Sequence, residues 1–363
     1  MLKIVTVVGA RPQFIKAAAI SRAIRDQHTS SVEEILVHTG QHHDQNMSSV
    51  FFNELHITSP KYNLEISGGT HGVMTGKMLE SLERVFLAEK PDWVLIYGDT
   101  NSTLAAALAA AKVHIPVAHV EAGLRSFNMK MPEEINRVIA DRLSRLLLCP
   151  TQASINNLNN EGISQGVHLV GDVMYDVSLF YRDLARKRSN ILENLKLKEG
   201  NYVLSTCHRA ENTDDPARLK GIALALSRIS QDMPVVLPLH PRTRKHLIEH
   251  NLLEIMKSVT LVDPLPFLDM VRLEQSAKVI LTDSGGVQKE AFFYGVPCVT
   301  MRDETEWIET VDAGWNTLAG AKASVIVDAY LNCETQCRAM IAPYGDGYAA
   351  EKCLKVILQG HLA

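Results

Sequence analysis

The 363-residue chain lacks the marks of several large protein classes. Lys and Arg total 37 against 41 Asp and Glu, a net charge of −4, so no polybasic face is offered to nucleic acid or anionic lipid. Any anionic ligand must be held by local groups. The longest clean apolar run, Leu104–Ala111, is far short of the ~20 residues that a membrane-spanning helix needs. The apolar start, Leu2–Val8, runs straight into Arg11 and Lys16 without a small-residue cleavage site, which argues against a secretory leader. The six cysteines (149, 207, 298, 333, 337 and 353) form no CxxC pair. Cys149 and Cys298 fall in apolar strand-like stretches where buried free thiols are common, and Cys333 and Cys337 have no histidine beside them to make a metal site. A cytoplasmic chain that binds neither nucleic acid nor membrane is the expectation.

Several catalytic signatures are missing as well. No GxGxxG follows the first strand, and no GxSxG elbow or Ser-His-Asp order appears, which disfavours a dinucleotide site there and an acyl-enzyme. Neither HxxxH nor HExxH spacing links His208 or His240 to a second histidine, so no metal is expected at these two residues.

What is present is an ordinary globular balance, 46% hydrophobic and 21% charged, in a length that favours two domains. Short apolar runs alternate with helical periodicity. Leu2–Val8, Ile35–His38, Trp93–Tyr97, Val117–Glu121, Leu146–Cys149 and Val167–Val170 read as one series of strands. Val203–Thr206, Val235–Leu239, Thr260–Val262, Val279–Thr282 and Cys298–Met301 read as a second. Strands apolar throughout and separated by helices belong to parallel sheets covered on both faces. The expected architecture is therefore α/β, with two doubly wound Rossmann-like domains facing a cleft. The first covers 1–171 and is joined by a C-terminal helix at about 345–363; the second covers 172–344. The charged stretch from Leu184 to Asn201 reads as a solvated helix and linker.

Open parallel sheets bind ligands outside the carboxyl ends of their strands, so the polar residues just after each strand carry the functional reading. After the first strand, Gly9 allows a tight turn and Pro12 suits a first helical position, while Arg11 and Lys16 bring cations to a helix N-terminus. That placement is unfavourable unless an anion lies between them. Asp283-Ser284-Gly285-Gly286 follows a strand and opens a helix whose first N–H groups can hold phosphate oxygens, with Glu290 placed one turn on to accept from ribose hydroxyls. Asp99 follows another strand, either as a helix N-cap or as a working acid. Glu121 ends a buried strand, where ionised groups need a partner or a task. Pro132-Glu133-Glu134 adds acids that capping alone can explain. His208 with Arg209, and His240 with Arg242, follow strands of the second series and fit a diphosphate.

These residues resemble the non-hydrolysing UDP-N-acetylglucosamine 2-epimerase family. The markers are Val8-Gly9-Ala10-Arg11-Pro12, Gly98-Asp99-Thr100, His119-Val120-Glu121-Ala122-Gly123-Leu124-Arg125, Pro132-Glu133-Glu134-Ile135-Asn136-Arg137, Cys207-His208-Arg209, Thr282-Asp283-Ser284-Gly285-Gly286-Val287-Gln288 and Pro343-Tyr344-Gly345-Asp346-Gly347. The resemblance implies a glycosyltransferase-B-like fold, a UDP-sugar substrate bound between domains, no cofactor, a homodimer, and a role in supplying surface-polysaccharide precursors. It places Asp99, Glu121 and Glu133 as acid/base groups and His208 near the diphosphate. Arg11, Lys16, Arg137, His240, Ser284, Gly285, Gly286, Glu290 and Arg302 become substrate contacts. The implied chemistry is elimination of UDP to a glycal-like intermediate, followed by re-addition with the C2 proton returned to the opposite face. A hydrolysing epimerase, a glycosyltransferase and a UDP-sugar sensor are the alternatives.

Two segments depart from the family pattern. Its Arg-Pro-Glu is Arg11-Pro12-Gln13 here, and its Thr-Glu-Arg-Pro-Glu is Thr305-Glu306-Trp307-Ile308-Glu309; both changes are expected to touch the cleft. The stretches His38-Thr39-Gly40-Gln41-His42, Tyr62-Asn63-Leu64, Gly69-Thr70-His71-Gly72 and Met74-Thr75-Gly76 look closer to a branch acting on UDP-2,3-diacetamido-2,3-dideoxyglucuronate. Its extra carboxylate would need a cation such as Arg125, Lys130 or Lys289.

Overall fold

The computed structural model describes residues 1–41, 59–333, 338 and 341–362. His42 and Cys337 lie outside them. The chain divides into two compact units, Met1–Val177 with Ala342–Ala363, and Ser178–Ile341. The changeover lies inside the helix Val173–Arg188 rather than at the Gly171–Asp172 loop.

The first unit holds seven strands: β1 (Leu2–Val8), β2 (Val32–His38), β3 (Tyr62–Asn63), β4 (Trp93–Tyr97), β5 (Val117–Val120), β6 (Leu146–Cys149) and β7 (Val167–Leu169). They are ordered β3-β2-β1-β4-β5-β6-β7, and every pairing is parallel. The second unit holds β8 (Val203–Thr206), β9 (Val235–Pro238), β10 (Thr260–Val262), β11 (Val279–Thr282), β12 (Cys298–Thr300) and β13 (Asn316–Leu318), ordered β10-β9-β8-β11-β12-β13 and again parallel.

The apolar runs were legible because each of these sheets is buried on both faces. In the second unit, Val203, Val235, Leu237, Val279, Leu281 and Val299 belong to one core cluster. Their strand neighbours Leu204, Val236, Ile280 and Cys298 belong to another. Alternate residues of one strand point to opposite faces, so a continuous apolar run is what a doubly covered strand requires. Truncating one of these side chains to alanine costs about 2–5 kcal/mol.

Between Leu184 and Asn201 the expectation of a solvated linker is corrected. Ile191 and Leu192, in the short helix Ile191–Asn194, pack with Tyr202 and Leu204 in the second unit's core. Cys149, Cys207, Cys298 and Cys353 are free thiols, and all four are buried, as is Cys333. No helix among the described residues is long and apolar enough to cross a membrane.

Candidate active site

In each sheet the strand order reverses once, between β1 and β4 in the first unit and between β8 and β11 in the second. Crossovers leaving a reversal in opposite directions open a crevice at the strands' carboxyl ends. In the first unit Arg11 follows β1, Asp99 follows β4 and Glu121 follows β5. In the second, His208 follows β8, His240 follows β9, Ser284 follows β11 and Arg302 follows β12.

The first unit gathers carboxylates and cations. Asp99 is not the N-cap of the helix Asn101–Lys112; Thr100 is, its hydroxyl accepting from the Thr103 N–H. Asp99 is thereby left to bind the Arg137 guanidinium, which also donates to Glu134 at 3.0 Å. Asn136 Nδ2 donates to the Asp99 carbonyl at 2.9 Å and holds the loop from behind. Glu121 is bound by the Lys16 ammonium, and both side chains are largely buried. Here is the anion that the Lys16 position called for. Glu121 has φ +71°, a left-handed conformation that costs a non-glycine residue about 1–3 kcal/mol. Strain of this kind persists where the surroundings over-determine it, and Glu121 N–H donates to Leu148 O at 3.1 Å.

Adjacent acids on one helix part company. Glu133 is exposed, whereas Glu134 is buried and accepts from the N–H groups of Ser126 and Phe127, the Ser126 hydroxyl and Arg137. Capping explains neither: Glu134 clamps the loop ahead of its own helix, and Glu133 remains open to a ligand. Arg11 is half-buried at the start of the helix Arg11–Gln27.

In the second unit Ser284 caps the helix Gly285–Tyr294 by accepting from the Val287 N–H, and Gly286 is exposed at the first turn. The helix N-terminus leaves N–H groups without intrahelical acceptors beside small side chains, an anion-binding arrangement. At Gly285 the approach is close: a Cβ there would meet Glu306 Oε1 at 2.5 Å, and that carboxylate would have to move aside. Arg302 is buried and donates to Glu306 at 3.0 Å. Asp283, fully buried, accepts from the backbone N–H groups of His208 and Arg209 at 3.0 Å each and lies 3.5 Å from His208 Nδ1. Burial lowers the His208 ring below the ordinary histidine range, against the partial offset of Asp283. The His208 and His240 rings lie 6.3 Å apart. Burial pushes the Glu290 carboxyl up to about 7, and Glu274, buried nearby, is raised still further by burial and by Glu290. Arg242 is held on the surface by both oxygens of Asp214, at 2.5 Å each.

Of the residues that depart from the family pattern, Gln13 and Trp307 are packed inside their own units, whereas Ile308 is 61% exposed. Gln13 is 2% exposed: its Oε1 accepts from Gly9 and Ala10 N–H, and its Nε2 donates to Tyr97 O and Thr103 Oγ1. It ties the β1 loop to the β4 loop. Trp307 is buried, with the Lys289 ammonium 4.1 Å from its ring centre. Arg125 is bound to Asp141 and, through two nitrogens, to Glu161, and so is committed within the protein. Sequence reasoning missed Asp283 as an orienting group, although it ends a buried strand just as Glu121 does. It also missed a chain of amides: His71 Nδ1 accepts from Asn101 at 3.1 Å, and Asn101 Oδ1 accepts from Asn136 at 3.2 Å. Among the described residues no group of three or more His, Cys, Asp or Glu is arranged to hold a metal ion.

The chain is similar to known proteins over nearly its whole length. A UDP-2,3-diacetamido-2,3-dideoxy-D-glucuronate 2-epimerase of Pseudomonas aeruginosa is 55% identical over 332 residues, covering 90% of this chain and 91% of the relative. A UDP-N-acetylglucosamine 2-epimerase of Methanocaldococcus jannaschii, solved in complex with UDP-GlcNAc and UDP, superposes with a TM-score of 0.89 at 42% identity, covering 99% of this chain and 100% of that one. The Neisseria meningitidis UDP-GlcNAc 2-epimerase, solved with UDP-GlcNAc bound, gives a TM-score of 0.88 at 31% identity and covers 99% of this chain and 100% of its own. Residues 24–358 match the family model described as UDP-N-acetylglucosamine 2-epimerase, and the chain belongs to that family.

Proposed function

We propose that the chain is an isomerase that inverts C2 of a UDP-2-acetamido sugar, with UDP-N-acetylglucosamine as the substrate. The observation that carries this is the pairing of Asp99 with Arg137 and of Glu121 with Lys16 on neighbouring strand-end loops. The proton at C2 has no adjoining carbonyl and is not acidic. It becomes removable when the C1–O bond to UDP breaks and positive charge develops at C1. A carboxylate then takes the proton, leaving a C1=C2 double bond. Returning a proton to the opposite face of C2 and the UDP oxygen to C1 completes the inversion without an external reductant or oxidant. Asp99, Glu121 and the exposed Glu133 supply the proton transfers. Ser284, Gly285 and Gly286 with His208, His240 and Arg302 stabilise the departing diphosphate, and Glu290 accepts from the ribose. Arg11 adds a further cation for the nucleotide. A homodimer and a cytoplasmic location belong to the same reading, on the strength of family membership.

A second substrate, UDP-2,3-diacetamido-2,3-dideoxyglucuronate, is favoured by the 55% identical relative and by the amide chain that joins His71 to the Asp99 loop. With Arg125 committed to Asp141 and Glu161, the exposed Lys130 is the first-unit cation left to meet its carboxylate.

Proton NMR in deuterated water with each sugar nucleotide tests the proposal. C2 inversion with deuterium entering at C2 is expected, and the preferred sugar names the branch. Neither change with either sugar would refute it, while stoichiometric release of UDP would point to a hydrolysing relative and acceptor-dependent products to a glycosyltransferase. Asp99→Asn and Glu121→Gln should lower turnover by about 10²–10⁴-fold while UDP still binds. A sensor would keep its function in both.

A further inference from the structure

β5 is buried along its whole length, and its one polar side chain, His119, is 0% exposed. Both of its ring nitrogens are engaged. Nε2 lies 2.8 Å from the Gly98 carbonyl oxygen, and Nδ1 lies 2.7 Å from Asp141 Oδ1. A carbonyl oxygen has no proton to give, so Nε2 must donate. Asp141 Oδ2 already accepts from the Gly123 N–H at 3.1 Å and from Arg125 Nη1 at 2.7 Å, the surroundings of a carboxylate rather than of an acid. Nδ1 must then donate as well. A neutral imidazole has one donor and one acceptor nitrogen, and would set a lone pair against a lone pair at one of the two contacts.

We infer that His119 is a buried imidazolium with both ring nitrogens donating, and that it is a positioning residue holding the Asp99 and Glu121 loops in register. The second half of the inference rests on the proposed function. A lone buried cation would be untenable, but the local charges balance: His119 and Arg125 face Asp141 and Glu161. Cys149, on the neighbouring strand, adds no charge, since burial and the nearby Asp141 push its thiol up to about 12. Burial by itself would raise the Asp141 carboxyl, yet its bonds and charges with His119 and Arg125 hold it below the usual carboxylate range.

The positioning follows from what the ring grips. Gly98 has φ +60°, its N–H donates to Val120 O at 3.1 Å, and its carbonyl accepts from His119. Both backbone groups of the residue before Asp99 are thus anchored on β5, and Glu121 follows two residues after His119, just past the end of that strand. A Cβ on Gly98 would lie 3.4 Å from Glu121 Oε2 and 3.5 Å from Lys16 Nζ, so the anchored peptide lies directly against the second carboxylate pair. One ring therefore sets the spacing of two acids that must address opposite faces of one carbon.

Neutron diffraction from the deuterated wild-type protein at about pH 8, well above the ordinary histidine range, reads the charge directly. Deuterons on both Nδ1 and Nε2 are expected. A bare ring nitrogen, or a deuteron on Asp141 Oδ1 in place of Nδ1, overturns the inference whatever the enzyme's activity. His119→Asn and His119→Gln test the positioning. In whichever of them folds, kcat should drop by about 100-fold, the cost of an ångström-scale misplacement, with KM and UDP-induced thermal stabilisation within about twofold of wild type. An unchanged kcat, or a loss confined to KM, removes the positioning role, and if neither variant folds the deuteron positions alone decide. A wild-type protein with two ring deuterons and no epimerisation would sink the proposed function and leave the charge assignment standing.

Discussion

Glu290 has a carboxyl that its surroundings make hard to ionise. Burial lifts it from 4.5 to about 7, and Glu274 beside it makes a second charge harder still to accommodate. Between these two values the folded protein binds more protons than the unfolded chain, so this group's contribution to stability is present below about 4.5 and lost as pH rises through about 7. Thermal melts should show Glu290→Gln gaining on wild type as pH rises from about 5 to about 8. A constant offset across that range would show that the carboxyl is not perturbed in this way. At this scale the sequence was readable where chemistry and position coincide. Glu121 stands out because a carboxylate at the end of an apolar strand is costly without a role, whereas Asp99 reads equally as a helix N-cap or as a working acid. Asp283 obeys the same rule and went unread as an orienting group because the glycines after it drew the attention to phosphate. Glu133 and Glu134 could not be separated, since neighbours on a helix point about 100° apart and only the packed fold says which of them faces inward.

Among the elements, the C-terminal helix Ala349–Leu362 is capped from a distance. The Asp176 carboxylate accepts from the N–H of Ala349 at 3.1 Å and of Ala350 at 2.7 Å, across 173 and 174 positions of sequence. Burial nevertheless raises Asp176 to about 6, the two backbone bonds offsetting only part of that cost. Asp176→Ala should therefore lose about 1 kcal/mol in a urea melt, the usual worth of a cap, and Asp176→Asn should lose less because it keeps an acceptor without a charge to bury. Equal losses would show that the charge, not the acceptor, holds the helix. No spacing rule reports a cap this remote, which is why it was not foreseen. Sequence patterning found the buried central strands and also the part-exposed edge strands β7 and β10. It missed β3 and β13, of two and three residues at the sheet edges. Tyr62-Asn63 and Asn316-Thr317-Leu318 are too short and too polar to form an apolar run. Where a strand was read one residue too long, at Glu121, Val170, Leu239 and Met301, the extra residue is the one that leaves the ladder toward a loop.

For the whole molecule, the discontinuity of the first unit matters most. Ala342–Ala363 returns to it after the complete second unit, and Cys353, Leu354 and Ile357 are buried there. Gly360 sits so close that a Cβ would lie 3.3 Å from the Trp93 ring and 3.4 Å from Leu146. A chain ending at Ile341 should show a separate, earlier unfolding transition for the first unit, with the second unit's transition and its stabilisation by UDP, about 2.7 kcal/mol at 100 times Kd, both kept. A single transition, unchanged from the full chain, would mean that the returning helix adds nothing.

The same discontinuity fixes an order of birth. On the ribosome the second unit is complete once Ile341 has emerged, while the first, though begun earlier, waits for Ala342–Ala363 to return and cover Trp93. The unit that carries Asp99 and Glu121 is the later of the two to be completed, so its strand-end loops are the last to be set in place.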